Sequence, residues 1–336
     1  MKERLHYIDI TKGLLILMVA YGHVYYTVCH NCGYHNTYMT MIHDVSNAWV
    51  AFYMPAFFVI TGMCSNFNKD IKQFICSNIK TIILPAFTLA LIIHAIEWLL
   101  ADKEFYIGLK VLLKGVSYWF LFALFVAKTL YYVLNRYLDS LKKICIVTIV
   151  LYCIFGIVHE YLPNVPNYWC WIHALGLIPF LTLGQVLKRQ NVLDNKKAVV
   201  ISGGAYLVIL IIYILLEVRI PRITGGIYLP IIQLLPHLVL SATGSILILA
   251  ICKFIHYAQW LESLGKHSLI IYCLHEGMLS IFAPWIGNYI VQATLQQSFV
   301  YYTMSLIYVV VMSWLISVLL NKKPLSIIIG LNSATL

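Results

Sequence analysis

The sequence predicts an all-α fold, a polytopic transmembrane helical bundle of about ten spans with both termini in the cytoplasm. Three observations support this prediction: an apolar composition, a series of long apolar runs, and an uneven distribution of lysine and arginine between them. Of 336 residues, 61% are hydrophobic and only 11% are charged, whereas soluble domains carry about 25% charged residues. So few charged residues cannot cover a soluble surface, which indicates a membrane protein.

The apolar runs are long enough to cross a bilayer, whose hydrocarbon core needs about 20 residues of helix. The first run contains Gly22 and His23 and lacks a small-residue cleavage site, so it is predicted to be a retained span rather than a secretory signal. The predicted spans are residues 12–29, 47–66, 80–100, 117–134, 143–159, 170–187, 198–216, 231–252, 268–286 and 299–320.

The orientation follows from the distribution of lysine and arginine, which accumulate on the cytoplasmic side of a membrane. With both termini inside, 17 of the 23 lysines and arginines lie in cytoplasmic segments, and Lys128 lies within the fourth span. The outer segments hold the other five: Lys103, Lys110, Lys114, Arg219 and Arg222. Three of these lie in the segment 101–116, which either lies outside or folds back on the membrane surface.

The ten spans leave only short connections, so residues 1–336 are predicted to form a single integral membrane domain with no appended soluble domain. The net charge of +10 is scattered in short clusters between apolar runs, which argues against a nucleic-acid partner and favours a topology signal. An internal repeat is not evident, so the pattern does not favour an inverted-repeat transporter.

Polar residues in the predicted first span are the strongest functional signal. Lys12 and His23 are eleven residues apart, which on a helix places them on nearly the same face and about 16 Å apart along the axis. With Lys12 at the cytoplasmic interface, His23 lies near the bilayer midplane. A neutral imidazole there can take a proton from a hydroxyl, while a cation can hold a phosphate-bearing donor. A structural histidine bonded to a neighbouring helix is the alternative.

Other spans offer further ionisable residues. His275 and Glu276 follow Lys266 by about nine residues and are therefore predicted near mid-depth, where His275 could converge with His23. His94 and Glu97 are i, i+3 neighbours that either orient an acceptor or simply satisfy each other.

Two outer segments are also candidates. Glu217, Arg219 and Arg222 could grip a polyol or anionic acceptor, or form an ordinary solvated loop. Cys29 and Cys32 lie near several histidines, but a second cysteine pair is missing from the spacing. A local disulfide or free thiols are therefore expected there, and no metal site is predicted.

The order of several motifs along the chain resembles membrane-bound acyltransferase family 3, the O-acyltransferases of bacterial cell envelopes. The motifs are residues 4–13 (RLHYIDITKG), 21–23 (YGH), 52–55 (FYMP), 57–62 (FFVITG), 83–85 (ILP), 119–121 (WFL), 183–184 (LG) and 264–275 (LGKHSLIIYCLH). Each motif alone is weak, and their order, spacing and placement on successive spans make the resemblance specific.

The resemblance implies roles for individual residues. The family hallmark of a basic residue, ten intervening residues and a histidine corresponds to Lys12 and His23, so His23 is expected to be catalytic and Lys12 to support the site or the acyl donor. The family often has two arginines where this chain has Ser77 and Lys80. Lys80 is therefore expected to bind the donor, with Lys69 and Lys72 contributing from the same segment.

The expected function is transfer of an acyl group from cytoplasmic acyl-CoA to a hydroxyl of an envelope glycan or lipid-linked sugar. The acyl group is expected to be acetyl. The expected location is the bacterial inner membrane, and acyl-CoA is a donor substrate rather than a tightly bound cofactor. The alternative is a proton-coupled transporter or flippase-like protein that uses His23, Glu97, His275 and Glu276 as a path.

Overall fold

The computed structural model of the protein describes residues 5–34, 36–101, 105–223, 229–255, 257–322 and 326. Within these ranges the chain is predominantly helical and contains no β-strand. The α-helices are α1 (His6–Tyr25), α2 (Thr37–Asp44), α3 (Tyr53–Cys64), α4 (Ile71–Asn78), α5 (Leu84–Ala101), α6 (Phe105–Leu113), α7 (Trp119–Tyr137), α8 (Leu141–Tyr161), α9 (Trp171–Gln190), α10 (Lys196–Leu215), α11 (Leu234–Phe254), α12 (Gln259–Lys266), α13 (Ser268–Val291) and α14 (Leu295–Leu320).

Nine helical segments among these residues are long and apolar enough to cross a membrane: His6–Asn31, Thr37–Cys64, Ile71–Leu99, Leu141–Tyr161, Tyr168–Gln190, Lys196–Leu215, Ile231–Phe254, Ser268–Val291 and Leu295–Leu320. Each corresponds to one predicted span, which confirms the predicted helical membrane fold. The remaining prediction, residues 117–134, coincides with α7, which contains Lys128 and Arg136 and is not among the nine. The predicted segment 101–116 contains α6, and residues 102–104 within it lie outside the described residues.

Short π-helical turns extend two of the spans. Tyr26–Asn31 continues α1, and Ile79–Ile83 joins α4 to α5. Polar side chains fix several helix starts, since Asn36 caps α2 and Asp70 caps α4 by accepting hydrogen bonds from backbone amides. Thr294 and Gln297 form a reciprocal capping box at the start of α14.

The chain divides into two compact units. The first comprises residues 1–47, 84–110 and 257–336, and the second comprises residues 48–83 and 111–256. In the first unit, α1 packs against α12, α13 and α14, and α13 also packs against α5. A methyl group at Gly13 would overlap the backbone carbonyl of Leu261, and one at Gly265 would overlap that of Asp9. These glycines therefore allow the backbones of α1 and α12 to touch.

The second unit is built around α9, which packs against α3, α7 and α8. In an 18-residue stretch of the membrane-span segment that contains α9, 83% of the residues are buried. In the corresponding stretch of α10, only 11% of the residues are buried. Gly62 and Gly184 allow α3 and α9 to cross in backbone contact, because a methyl group at either would overlap a carbonyl of the other helix. α9 is therefore the central helix of this unit and α10 a peripheral one.

Candidate active site

The first half of α1 carries the first predicted site residue. Lys12 lies with its Nζ 3.7 Å from Oδ1 of Asp9, whose side chain is only 5% exposed. Asp9 precedes Lys12 by three residues, so the two lie on the same helix face. This carboxylate partly neutralises Lys12, a partnership that the motif alone did not reveal.

The second half of α1 brings His23 to α13. The Nδ1 atom of His23 lies 2.7 Å from Oε1 of Glu276. The oxygen is within hydrogen-bonding distance but is not aligned with the ring N–H direction, which is common for catalytic contacts before substrate binds. A carboxylate can only accept, so the contact favours a proton on Nδ1 and leaves Nε2 to accept a proton from a substrate.

His275 completes a three-residue cluster with His23 and Glu276. The two imidazole rings meet edge to face with their centroids 4.6 Å apart. Nδ1 of His275 lies 2.6 Å from the carbonyl oxygen of Tyr272, so a neutral ring donates through Nδ1 and keeps its Nε2 lone pair. Among the described residues that Nε2 is buried without a hydrogen-bond partner. The predicted convergence of the two histidines is therefore observed, and both rings offer a proton acceptor.

The three residues of the cluster differ in how exposed their side chains are. A methyl group built on Gly22 would meet no atom within 4 Å, so open space adjoins α1 immediately before His23. The side chains of His23 and Glu276 are 28% and 49% exposed, whereas His275 is buried. Open space therefore adjoins α1 next to the partly exposed His23. The ligand atoms of the three residues also lie within 4.8 Å of one another, a set that could hold a divalent ion.

Two hydrogen bonds hold α1 next to His23. Tyr302 on α14 donates its hydroxyl to the carbonyl oxygen of Tyr21 at 2.7 Å. Tyr21 in turn donates its hydroxyl to the carbonyl oxygen of Ile42 on α2. The π-helical turn Tyr26–Asn31 begins immediately afterwards, and such turns frequently occur at functional sites. Tyr302 was not a sequence candidate, because nothing in its own surroundings signals this contact.

A second polar group lies one helical turn further along α13. Ser280 follows Glu276 by four residues, and its hydroxyl lies 3.3 Å from Oε1 of Glu97 on α5. Oε2 of Glu97 lies 3.3 Å from Nδ1 of His94, as the i, i+3 spacing predicted. The ring of His94 packs on Gly108, where a methyl group would come within 2.7 Å of it. The structure therefore extends the predicted pair by one residue, Ser280.

The three lysines predicted to bind the donor belong to the second unit. Lys69 and Lys72 flank Asp70 at the start of α4, and Lys80 lies in the π-helical turn Ile79–Ile83. All three side chains are exposed, and in the part of the chain that the structure describes no carboxylate lies within ion-pair distance of them. They are therefore available to an anionic ligand.

The outer candidates of the second unit are Glu217, Arg219 and Arg222, which follow α10. Glu217 and Arg219 are exposed, whereas Arg222 is half-buried. Gly225 and Gly226, which follow these residues, lie outside the described residues. Cys29 is buried and Cys32 half-buried, and neither forms a disulfide.

The fold and the site together define the class to which this protein belongs. The chain is a multi-pass α-helical membrane protein with two histidines and a carboxylate gathered on α1 and α13. A family model described as an acyltransferase domain matches residues 5–318, so the chain belongs to acyltransferase family 3. Comparisons with curated proteins and with solved structures give no match.

Proposed function

We propose that this protein is an O-acyltransferase of the bacterial inner membrane, with both termini in the cytoplasm. It moves an acyl group, which we propose to be acetyl, from cytoplasmic acyl-CoA to a hydroxyl of an envelope glycan or lipid-linked sugar. The observation that carries the proposal is the 2.7 Å contact of His23 with Glu276 beside His275, in a chain of the acyltransferase family.

The geometry favours His23 as the general base. Its Nε2 takes the proton of the acceptor hydroxyl while the hydroxyl oxygen attacks the thioester carbonyl. Collapse of the tetrahedral intermediate breaks the carbon–sulfur bond, and the same proton passes from His23 to the departing thiolate. Glu276 stabilises the imidazolium that forms between these two transfers, as a carboxylate does in other histidine-dependent acyl transfers. Lys12 and the lysines Lys69, Lys72 and Lys80 are assigned to the negatively charged donor.

A second role for His23 is that of transient acyl carrier. In this route Nε2 attacks the thioester itself, expels the thiolate and is then relieved of the acyl group by the acceptor hydroxyl. Rapid quenching after mixing with radiolabelled acetyl-CoA in the absence of acceptor separates the two routes. Label that remains on the protein and is lost in His23→Ala supports the carrier, and its absence supports the base.

The decisive experiment compares acyl transfer by His23→Ala and the wild type in membranes and after purification. The matched control is His30→Ala, which removes an exposed histidine from the same continuous helical segment. His23→Ala is expected to insert normally and to lose transfer, while His30→Ala retains it. Full activity in His23→Ala would contradict the assignment of His23 as the catalytic residue.

The acceptor is tested in cells. Mass spectrometry of envelope glycans from cells with and without the gene is expected to show the mass of one acyl group on one polymer or lipid-linked sugar. The proton-coupled transporter is the alternative, because Ser280 extends the line of polar residues along α13 from Glu276 to Glu97. A transporter would move a solute without consuming acyl-CoA, which a thiol-release assay detects.

A further inference from the structure

Lys128 is a charged residue of the second unit to which the proposed mechanism assigns no role. It lies at the middle of α7, nine residues from either end, and its side chain is half-buried. A lysine in an apolar helix of a membrane protein costs about 2.5–3.5 kcal/mol on insertion scales. Within the described ranges, no carboxylate forms an ion pair with it. Lys128 is therefore suited to binding an anion from outside the protein.

A second cation is held close to Lys128 by the segment 65–70. The hydroxyl of Tyr132 on α7 donates to the carbonyl oxygen of Lys69 at 3.0 Å. The amide of Asn135, one turn further on, lies 3.2 Å from Oδ1 of Asn68. Tyr132 follows Lys128 by four residues and lies on the same face of α7. Lys69 is therefore anchored beside this face, and its charge acts on Lys128.

The other side of this segment is held by α9. Gln185 donates its side-chain amide to the carbonyl oxygen of Ser65 at 3.3 Å and also to that of Gly62. Arg189 follows Gln185 by four residues and so lies on the same face of α9, one turn further along. Two like charges and a third nearby repel one another in the empty protein. An anion bound among them would remove that repulsion.

Tyr131 supplies an independent indication of an anion-binding site. Its side chain is completely buried against Phe67, with the ring centroids 4.4 Å apart. Its hydroxyl is buried and has no hydrogen-bond partner in the region that the structure describes. A buried hydroxyl without a partner costs about 1–3 kcal/mol. It lies three residues from Lys128 on the same face of α7, where it can donate a hydrogen bond to the same anion.

We propose that Lys128, Lys69, Arg189 and the hydroxyl of Tyr131 form a binding site for the phosphate groups of the acyl donor. The inference rests on the proposed function for the identity of the ligand, and on the four side chains for its chemistry. Phosphate suits this site because its several oxygens can accept hydrogen bonds from ammonium, guanidinium and hydroxyl groups together. Lys128, Arg189 and Tyr131 thus add three residues to the lysines that the sequence assigned to the donor.

The test measures binding of acetyl-CoA and of adenosine 3′,5′-bisphosphate to the purified full chain in nanodiscs of neutral lipid. Lys128→Met keeps the length of the side chain and removes its charge. It is expected to weaken binding of both probes about tenfold or more, the loss of one charged hydrogen bond. Lys128→Arg is expected to retain binding within a few-fold, and Tyr131→Phe to weaken it several-fold. The matched control is Lys142→Met, which removes an exposed lysine of α8 and should change nothing.

Folding is monitored separately by thermal unfolding in the absence of ligand. Because Lys128→Met removes an uncompensated charge, its unfolding midpoint is expected to equal or exceed that of the wild type. Unchanged acetyl-CoA affinity in folded Lys128→Met and Tyr131→Phe would overturn the proposal. So would displacement of acetyl-CoA by phosphatidylglycerol in the nanodisc through Lys128, since the cluster would then be a lipid headgroup site.

Failure of this site and failure of the proposed function give different results. If the protein transfers acyl groups and Lys128→Met does so with an unchanged donor KM, the site is wrong and the function stands. If both phosphate probes bind through Lys128 but no acyl transfer occurs with any acceptor, the anion site stands and the function is wrong.

Discussion

The two polar clusters of this protein differ in how their charges are balanced. In the first unit, His23 faces the carboxylate of Glu276, and Lys12 faces that of Asp9. In the second unit, Lys128 and Lys69 act on each other as like charges, and Tyr131 has a buried hydroxyl without a partner. A cluster that already contains both signs is suited to moving a proton, because its groups exchange charge among themselves. A cluster of cations alone is suited to holding an anion.

Both clusters nevertheless stand on the same kind of scaffold. The backbones of α1 and α12 touch at Gly13 and Gly265, and those of α3 and α9 touch at Gly62 and Gly184. Small residues at helix crossings in membranes allow close packing where the hydrophobic effect cannot drive association. The difference between the clusters therefore lies in the side chains rather than in the way the helices are packed.

The largest expected effect comes from Glu276→Gln, which removes the negative charge beside His23 with little change in size. The imidazolium formed during transfer loses its stabilisation, so kcat is expected to fall about 10²-fold or more, while the donor KM stays within a few-fold. Steady-state kinetics with acetyl-CoA and the identified acceptor measure both parameters. Asp139→Asn, at an exposed carboxylate of the second unit, is the control. A raised donor KM with unchanged kcat would show that Glu276 acts in donor binding rather than in catalysis.

Packing is tested by a matched pair of substitutions on α1. In Gly13→Ala the added methyl group overlaps the carbonyl of Leu261, so unfolding is expected to be easier by about 1–3 kcal/mol. In Gly22→Ala the methyl group enters open space, and helix propensity gains up to about 1 kcal/mol. Thermal unfolding in detergent measures the difference. Equal stability of the two variants would show that α1 does not need backbone contact with α12.

Ionic strength distinguishes the two clusters without loss of the scaffold. Added salt screens the cations of the second unit, so the donor KM of the wild type is expected to rise several-fold between low and high salt. The kcat at saturating donor is expected to change little, because His23 and Glu276 are in direct contact. Kinetics at two salt concentrations in wild type and Lys128→Met provide the test. An equal salt dependence of KM in both proteins would remove Lys128 from the donor site.

The smallest effect is expected for Ser280→Ala. The variant removes the hydroxyl that lies 3.3 Å from Glu97 while leaving the pair of Glu97 with His94 intact. Activity is expected to fall only a few-fold, through the acceptor KM, since this group neighbours the first cluster without belonging to it. A loss as large as that of Glu276→Gln would extend the catalytic cluster along α13.

The sequence predicted the spans well because each is a continuous apolar run, and it predicted the meeting of His23 and His275 because both depths follow from nearby lysines. The pairing of His23 with Glu276 was not predictable, since it depends on how α1 and α13 are rotated about their axes. Ser280 and Tyr131 were missed for a similar reason. Their contacts come from other helices, and serine and tyrosine are common in membrane spans without a function. The short helix α12 was also missed, because its eight residues carry too few apolar positions to indicate a span.

The weakly buried α10 has a consequence for experiments in cells. Only Gly203, Tyr206 and Leu210 are buried along its 20 residues, and they follow one another at spacings of three and four on one face. The rest of the helix is covered with apolar side chains such as Val200 and Ile201. Its outer face therefore tolerates exchange of one apolar residue for another. Once the exposed native cysteines Cys64, Cys76 and Cys153 are replaced, a cysteine introduced on this face provides an attachment point for a fluorophore. This face is far in sequence from the residues assigned to chemistry on α1 and α13.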